Sequence, residues 1–142
     1  MTSDALSLAS AILIVVPMLY FLIVTPNFFF FKFADPTVTW VMRGLFNVYF
    51  LSVGACCALG ATAFVAAGRP IIAVGIASVA ALAIAARRWF LQRIDAQLRA
   101  RDAGDTDAVR QLQRLHLGGM LYNTVQFAAL LVVIPFVFVT AN

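Results

Sequence analysis

Long stretches without a charged side chain constrain this sequence more than any other feature. No Asp, Glu, Lys or Arg occurs over 5–31, 44–68 or 70–86, nor anywhere after Arg114. A membrane-spanning helix needs about 20 predominantly apolar residues, within a range of roughly 17–25. Because backbone groups in lipid must bond within their own segment, unbroken apolar stretches of this length form helices. We therefore predict an all-α fold, an integral membrane four-helix bundle.

The composition excludes the soluble classes of protein. Of the 142 residues, 63% are hydrophobic and only 11% are charged, whereas a soluble domain is about half apolar and a quarter charged. A transmembrane barrel would show apolar–polar alternation in pieces of about ten residues, and these stretches are unbroken. We predict a single four-span domain over 1–142, with spans at about 5–31, 44–68, 70–90 and 115–139.

The third and fourth helices are predicted to continue beyond the membrane. Leu91, Ile94 and Leu98 repeat at helical spacing through an arginine-rich stretch. At about 1.5 Å per residue, a helix over 70–101 is longer than a hydrocarbon core of about 30 Å. We expect helices 3 and 4 to extend into a cytoplasmic hairpin at about 87–114.

Local breaks in the helices follow from proline and capping residues. Pro26 removes a backbone donor and is expected to end or kink helix one, and Asp35 begins a turn before helix two. Only Arg69-Pro70 separates helices two and three, and both helices are rich in small residues that allow close packing in lipid. Asp105 or Thr106 is the expected N-cap of the last helix.

The basic residues predict the orientation of the chain. Nine of the ten lie in the connections at 32–43 and 87–114, and only Arg69 lies on the other side. Lys and Arg in short loops are retained in the cytoplasm. We predict a multi-pass protein of the cell inner (plasma) membrane with both termini non-cytoplasmic. Anionic headgroups explain the net charge of +4, so the predicted partners are membrane lipids and not nucleic acid.

Polar side chains within the spans form the candidate site. Such side chains are costly in lipid and usually face the interior of a bundle. His116 and Asn123 share one face of helix four, with Gln126 on its margin. The candidate ligand-binding residues at the cytoplasmic leaflet are Asn27, Arg43, Asn47, Arg87, His116, Asn123 and Gln126. They form either a pocket for a lipid, quinone or amphipathic substrate, or a purely structural network of interhelical hydrogen bonds.

Metal, haem and covalent chemistry find no support in the residues. Zinc usually takes three or four ligands and haem an axial ligand, which one histidine and the adjacent Cys56 and Cys57 do not supply. Adjacent helical residues point about 100° apart, so these cysteines are interpreted as small packing residues. No nucleotide-binding fingerprint is present, and no Asp or Glu lies inside a span for a proton relay. We predict no metal, no cofactor and no catalytic residue.

Three short motifs resemble a known family. Val24-Thr-Pro26 closes helix one, 44–49 (Gly-Leu-Phe-Asn-Val-Tyr) opens helix two, and Leu115-His116 followed by Asn123 opens helix four. The pattern resembles a family of small four-helix membrane proteins of unknown function that includes human transmembrane protein 205 and its bacterial relatives. Four spans with internal polar groups are also similar to the anthrone-oxygenase-like membrane family, which implies cofactor-independent oxidation involving a histidine.

Two classes of function remain open. The chain is expected to be a non-enzyme, either an accessory subunit of a larger membrane complex or a binder of a lipid-like molecule at the cytoplasmic leaflet. Self-association is a further possibility, and the aromatic stretch at 28–33 is suited either to a partner or to lipid. The alternative is a small membrane oxidoreductase that acts on a hydrophobic substrate at His116.

Overall fold

The computed structural model describes residues 3–139, which are folded almost entirely as helices. The element order is α1 (Ser3–Val24), a short 3-10 helix (Thr25–Phe30), α2 (Pro36–Ala66), α3 (Pro70–Asp102) and α4 (Asp107–Val139). Each of the four α-helices belongs to a segment that is long and apolar enough to cross a membrane. The prediction of an all-α bundle of four membrane-spanning helices is confirmed to this extent.

The break after α1 lies where proline predicts it. Pro26 has no N–H to donate to the carbonyl four residues earlier, and the α-helix changes to a 3-10 helix at Thr25. The Thr25 hydroxyl donates to the carbonyl oxygen of Phe21 at 2.6 Å, which holds this junction against α1. The chain becomes extended at Phe31 before it turns into α2.

Capping residues begin and end the other helices. Asp35 accepts a hydrogen bond from the backbone N–H of Thr37 at 2.8 Å, and Asp105 accepts one from Asp107 at 2.9 Å. Of the two predicted caps of the last helix, Asp105 and Thr106, it is the Asp105 side chain that accepts this hydrogen bond. Gly68 and Gly104 end α2 and α3 with positive φ angles of 73° and 94°, a conformation that glycine adopts without steric cost.

The bundle has two ends that differ in composition. We call the end that carries the α3–α4 turn at 103–106, the 3-10 helix and the start of α2 the hairpin end. The opposite end, which carries the α2–α3 turn at 67–69, is the far end. With 33 residues at about 1.5 Å each, α3 is about 50 Å long and passes from an apolar sequence at the far end to an arginine-rich one.

The helices pack most extensively between α2 and α3, as the small residues predict. A Cβ atom added to Gly54 would lie 3.1 Å from the Ile84 side chain, so a larger residue there would require that side chain to shift. The main core is aromatic and lies towards the hairpin end, where the Phe46 ring contacts those of Phe21, Phe50 and Phe90. Ile94 and Leu112 extend this core between α3 and α4.

Candidate functional site

His116 lies in the core of the hairpin end. Its side chain is 0% exposed, and its Nε2 lies 3.1 Å from the carbonyl oxygen of Thr25. A carbonyl can only accept, so Nε2 carries the proton and Nδ1 is left with a lone pair. This hydrogen bond joins α4 to the 3-10 helix at the junction that Pro26 creates.

Four phenylalanine rings surround the imidazole of His116. The rings of Phe28, Phe29, Phe33 and Phe46 lie with their centroids 5.3–6.1 Å from that of the histidine. Nδ1 is buried and has no hydrogen-bond partner in the part of the chain that the structure describes. The histidine is thus packed as an interior aromatic side chain that makes one polar contact.

Gly118 and Gly119 follow His116, and the structure explains why the second of them is a glycine. A Cβ atom at Gly119 would overlap the ring of Phe46, which is itself fully buried. At Gly118 the nearest atom to an added Cβ would be 3.9 Å away, on Phe90. Only Gly119 is therefore required for the close approach of α4 to α2.

Asn123 forms a polar layer in the middle of the bundle. Its Oδ1 accepts a hydrogen bond from the Tyr49 hydroxyl, and its Nδ2 donates to the carbonyl oxygen of Met18 at 3.1 Å. The Asn123 side chain is 0% exposed. One amide therefore joins α4 to α1 and α2, and both halves of that amide are used.

Gln126 lies one turn further towards the far end and is only half satisfied. Its Nε2 donates to the Tyr122 hydroxyl at 2.9 Å. Its Oε1 is buried and has no partner among the described residues. A polar amide atom left unpaired in an apolar interior is costly.

The arginines predicted for the site are paired with side chains of neighbouring helices. Arg43 of α2 makes a two-bond ion pair with Asp95 of α3. Arg87 of α3 donates twice to Asn47 Oδ1, at 2.9 and 2.7 Å. Together these contacts hold α2 against α3 at the hairpin end.

Asn27 has a local role at the end of α1. Its side-chain amide donates to the carbonyl oxygens of Ile23 and Val24 at 3.2 Å each. These carbonyls lie in the last turn of the helix, where partners within the helix run out. Asn27 therefore caps α1 and does not reach the other candidate residues.

The candidate set is thus distributed over several small networks. Of its members, the structure brings only Asn47 and Arg87 into direct contact. The partners that complete these networks were not predicted from the sequence. They are Thr25, Tyr49, Asp95 and Tyr122. A further pair, outside the candidate set, joins α3 to α2, where Arg101 donates to the Thr39 hydroxyl at 2.6 Å.

A cavity of about 560 Å³ lies between the helices at the far end. All four helices line it, with Met18 of α1, Cys57 of α2, Ile76 of α3 and Leu130 of α4 among the lining residues. Among the described lining residues, Gln126 alone has a side-chain amide. None of the described lining residues is charged. The cavity is therefore apolar. It opens to the surroundings of the bundle, because lining side chains such as Ile71, Leu82 and Val125 are exposed.

A second concavity, of about 640 Å³, lies on the outer surface between α1 and α2. Several of its lining side chains are exposed, including Ile12, Tyr20 and Val48. It is a shallow groove that faces the surroundings of the bundle. The far-end cavity is the one that all four helices share.

The two cysteines of α2 are free thiols. Cys57 is buried in the core and Cys56 is half-buried. Among the described residues, no group of three or more His, Cys or Asp side chains is placed to hold a metal ion. Packing accounts for both positions.

Comparisons with protein-family models, with curated proteins and with solved structures found no match to this chain. The resemblance to the family of transmembrane protein 205 stays a prediction from short motifs.

Proposed function

We propose that this protein binds an amphipathic, lipid-like molecule between its helices, in the open cavity at the far end. The observation that supports this function most strongly is the cavity itself, about 560 Å³ in volume and shared by four helices. Small-molecule sites measure roughly 300–1,000 Å³ and are mostly apolar, with few polar groups. An apolar tail in this space would gain the dispersion contacts that the lining side chains otherwise lack.

The polar groups at the hairpin end support a structural role. Arg43 and Arg87 already bond to Asp95 and Asn47, so a ligand there would have to replace contacts within the protein. We propose that these pairs hold α2 and α3 together. The earlier hypothesis of a ligand at the cytoplasmic leaflet stays a prediction, and the geometry favours the far end over it.

A membrane oxidoreductase acting at His116 receives less support. The imidazole is 0% exposed, and four aromatic rings surround it. A substrate would reach Nδ1 only if the 3-10 helix moved away from α4. We therefore favour binding over oxidation.

The orientation proposed for the chain rests on its arginines. Nine of ten basic residues lie in the connections at the hairpin end, and the positive-inside rule assigns such connections to the cytoplasm. We propose an inner-membrane protein with a cytoplasmic hairpin and both termini outside the cytoplasm. The far-end cavity would then lie in the outer leaflet.

A second candidate function is that of an accessory subunit in a larger complex. The observation that favours it is the run Phe29, Phe30 and Phe31, in which every side chain is exposed, Phe30 by 87%. Aromatic side chains are enriched at protein interfaces and equally at membrane interfaces. The run thus suits a partner or the headgroup region.

Native mass spectrometry of the protein in mild detergent, with lipids retained, tests the binding function. We expect a bound molecule of defined mass on the wild type and its loss in Gly75→Phe. Gly75 lines the cavity, and no atom lies within 4 Å of an added Cβ there, so a phenylalanine would fill the space.

Gly44→Phe is the matched control, since Gly44 has equally open surroundings but lies at the hairpin end, outside the cavity. Loss of the bound molecule in both variants, or in neither, would contradict the proposal. A stoichiometric protein partner with no bound small molecule would favour the accessory function instead.

A further inference from the structure

The outer face between α3 and α4 carries two arginines without an anionic partner. Arg93 of α3 and Arg114 of α4 are both exposed, and neither makes a hydrogen bond or an ion pair with the described residues. Three carboxylates of these helices already pair with other arginines, and the pairs are Asp95–Arg43, Asp102–Arg101 and Asp107–Arg110. This face therefore presents two positive charges that no described carboxylate contacts.

The packing of α3 against α4 places these two arginines at one level. The Phe90 ring lies 3.9 Å from the position of a Cβ atom added to Gly118, so these two residues face each other. Arg93 follows Phe90 by three residues and shares its helix face, and Arg114 precedes Gly118 by four and does the same. Because α3 and α4 are antiparallel, both arginines lie towards the hairpin turn from this contact, by about 4.5 Å and about 6 Å. They therefore flank the same stretch of the α3–α4 boundary.

Stacking holds the guanidinium of Arg93 in position. Its Cζ lies 4.9 Å from the centroid of the Trp89 ring. Trp89 in turn packs edge-on against Phe90, with ring centroids 4.8 Å apart, and Phe90 belongs to the buried core. A guanidinium over an aromatic ring keeps its N–H donors available for a further partner. The contacts from the core through Trp89 thus orient Arg93 before any anion binds.

The two arginines lie where the uncharged sequences of the spans end. No charged residue occurs over 70–86 of α3 or after Arg114 of α4. Trp89 is exposed, and Trp is enriched at the boundary between membrane and water. Leu117 and Leu121 follow Arg114 on the same face and are exposed as well. A phosphate group at this level would therefore have apolar protein surface on its membrane side, where acyl chains lie.

We infer that Arg93 and Arg114 together bind the phosphate of an anionic phospholipid on the outer face of the bundle. Paired N–H donors of arginine match phosphate oxygens. A zwitterionic headgroup suits the pair less well, because its cation would lie beside two guanidinium groups that lack a carboxylate. This site goes beyond the proposed function, since it lies at the hairpin end and outside the far-end cavity.

Fluorescence quenching in vesicles tests this inference, because Trp89 lies beside the site. The chain has two tryptophans, so Trp40→Phe leaves Trp89 as the sole reporter. This variant is reconstituted in dioleoylphosphatidylcholine with a minor fraction of dibrominated lipid, either phosphatidylglycerol or phosphatidylcholine, whose chains quench an indole that they contact. We expect phosphatidylglycerol to associate about fivefold to twenty-five-fold more strongly, because each arginine near an anionic headgroup contributes a factor of about five.

Three arginine variants in this background locate the site. Arg93→Gln and Arg114→Gln should each lower the preference for phosphatidylglycerol about fivefold. Both side chains are exposed, so their replacement leaves the core intact. Arg99→Gln is the matched control, because it removes the same charge from another exposed position of α3. Six residues separate it from Arg93, which places it on a different face of the helix, and it should keep the preference.

The other outcomes contradict the inference in distinct ways. Equal association of the two brominated lipids would show that no preference exists. An equal loss in all three arginine variants would show a diffuse attraction to the arginine-rich end, and a preference that survives in Arg93→Gln and Arg114→Gln would place the lipid elsewhere. Inorganic phosphate, present on both sides of the vesicle membrane, should not displace the brominated phosphatidylglycerol. Displacement would show that the two arginines bind free phosphate instead of a lipid headgroup.

Discussion

The two ends of this bundle are built on different principles. At the hairpin end, large side chains such as Phe46 and Leu112 are fully buried, and hydrogen bonds join α2 to α3 and α4 to the 3-10 helix. At the far end a small cluster centres on Phe64 and Ala73, and a cavity lies between the helices. The hairpin end is closed by specific contacts, whereas described residues of all four helices surround a cavity at the far end.

This difference reflects how helices associate in lipid. Acyl chains are as apolar as the side chains they contact, so apolar surface alone does not draw helices together. The hairpin end has hydrogen bonds, an ion pair and interlocking rings to hold it. The far end has mostly aliphatic side chains that lipid solvates equally well. The far-end cavity lies at this aliphatic end of the bundle.

Removing the imidazole should have the largest effect on the hairpin end. His116→Ala deletes a ring packed among four others and the contact to Thr25. We expect a loss of about 2–5 kcal/mol in the free energy of unfolding, as for other large buried side chains. Thermal or detergent-induced unfolding in micelles measures it. Leu117→Ala is the control, because this neighbour is exposed. Lost ligand binding with unchanged stability would contradict the structural role of His116.

Replacing one glycine at each end of the bundle by alanine compares the packing of the two ends directly. Gly119→Ala should lower stability by about 1–3 kcal/mol, the usual cost of overpacking a filled core, because the new methyl group meets the ring of Phe46. Gly75→Ala at the far end should be tolerated, since nothing lies within 4 Å of the added atom. Unfolding midpoints of the two variants suffice, and equal losses would remove the distinction between the ends.

In the polar layer in the middle of the bundle, Asn123 and Tyr49 should show an energetic coupling. Asn123→Leu and Tyr49→Phe each remove one partner of a buried hydrogen bond. The double variant should be more stable than the sum of the single losses by about 0.6–1.7 kcal/mol, the range for such bonds in membrane proteins. A double-mutant cycle of unfolding free energies measures this coupling. Strict additivity would show that the bond contributes nothing.

The ion pair between Arg43 and Asp95 should have the smallest effect. The two side chains are 34% and 33% exposed, so water and salt screen their attraction. Arg43→Gln should cost about 0.2–1 kcal/mol, and high salt should reduce the difference from the wild type. Arg88→Gln, at an exposed arginine near the same boundary, serves as the control. A loss that matches His116→Ala would assign this pair a larger role than its exposure allows.

Local features of the fold were predictable because they depend on neighbours in sequence. Uncharged stretches gave the four helices, Pro26 gave the end of α1, and Asp105 gave the cap of α4. The extent of α2–α3 packing followed from small residues and the short turn before Pro70. Each of these predictions needed only the spacing of residues along one or two helices.

The contacts of the candidate site were not predictable in the same way. Depth along a helix showed that Arg43, Arg87 and His116 lie near one level. Their partners depend on how each helix is rotated, and the sequence alone does not determine that rotation. Gly119 illustrates the point, since its cause is the Phe46 ring on another helix. The cavity was still less accessible to prediction, because its shape depends on the relative positions of all four helices.

Photolabelling tests the central claim, a ligand site in the far-end cavity, most directly. The probe is 1-hexadecanol with a diazirine in its chain, applied with and without excess unmodified 1-hexadecanol, and the labelled residues are identified by mass spectrometry. The account predicts that the competitor suppresses labelling at cavity residues such as Ile76 and Leu130, while labelling of outward-facing Ile12 persists. Labelling that competes at the hairpin end, or that competes nowhere, would contradict it.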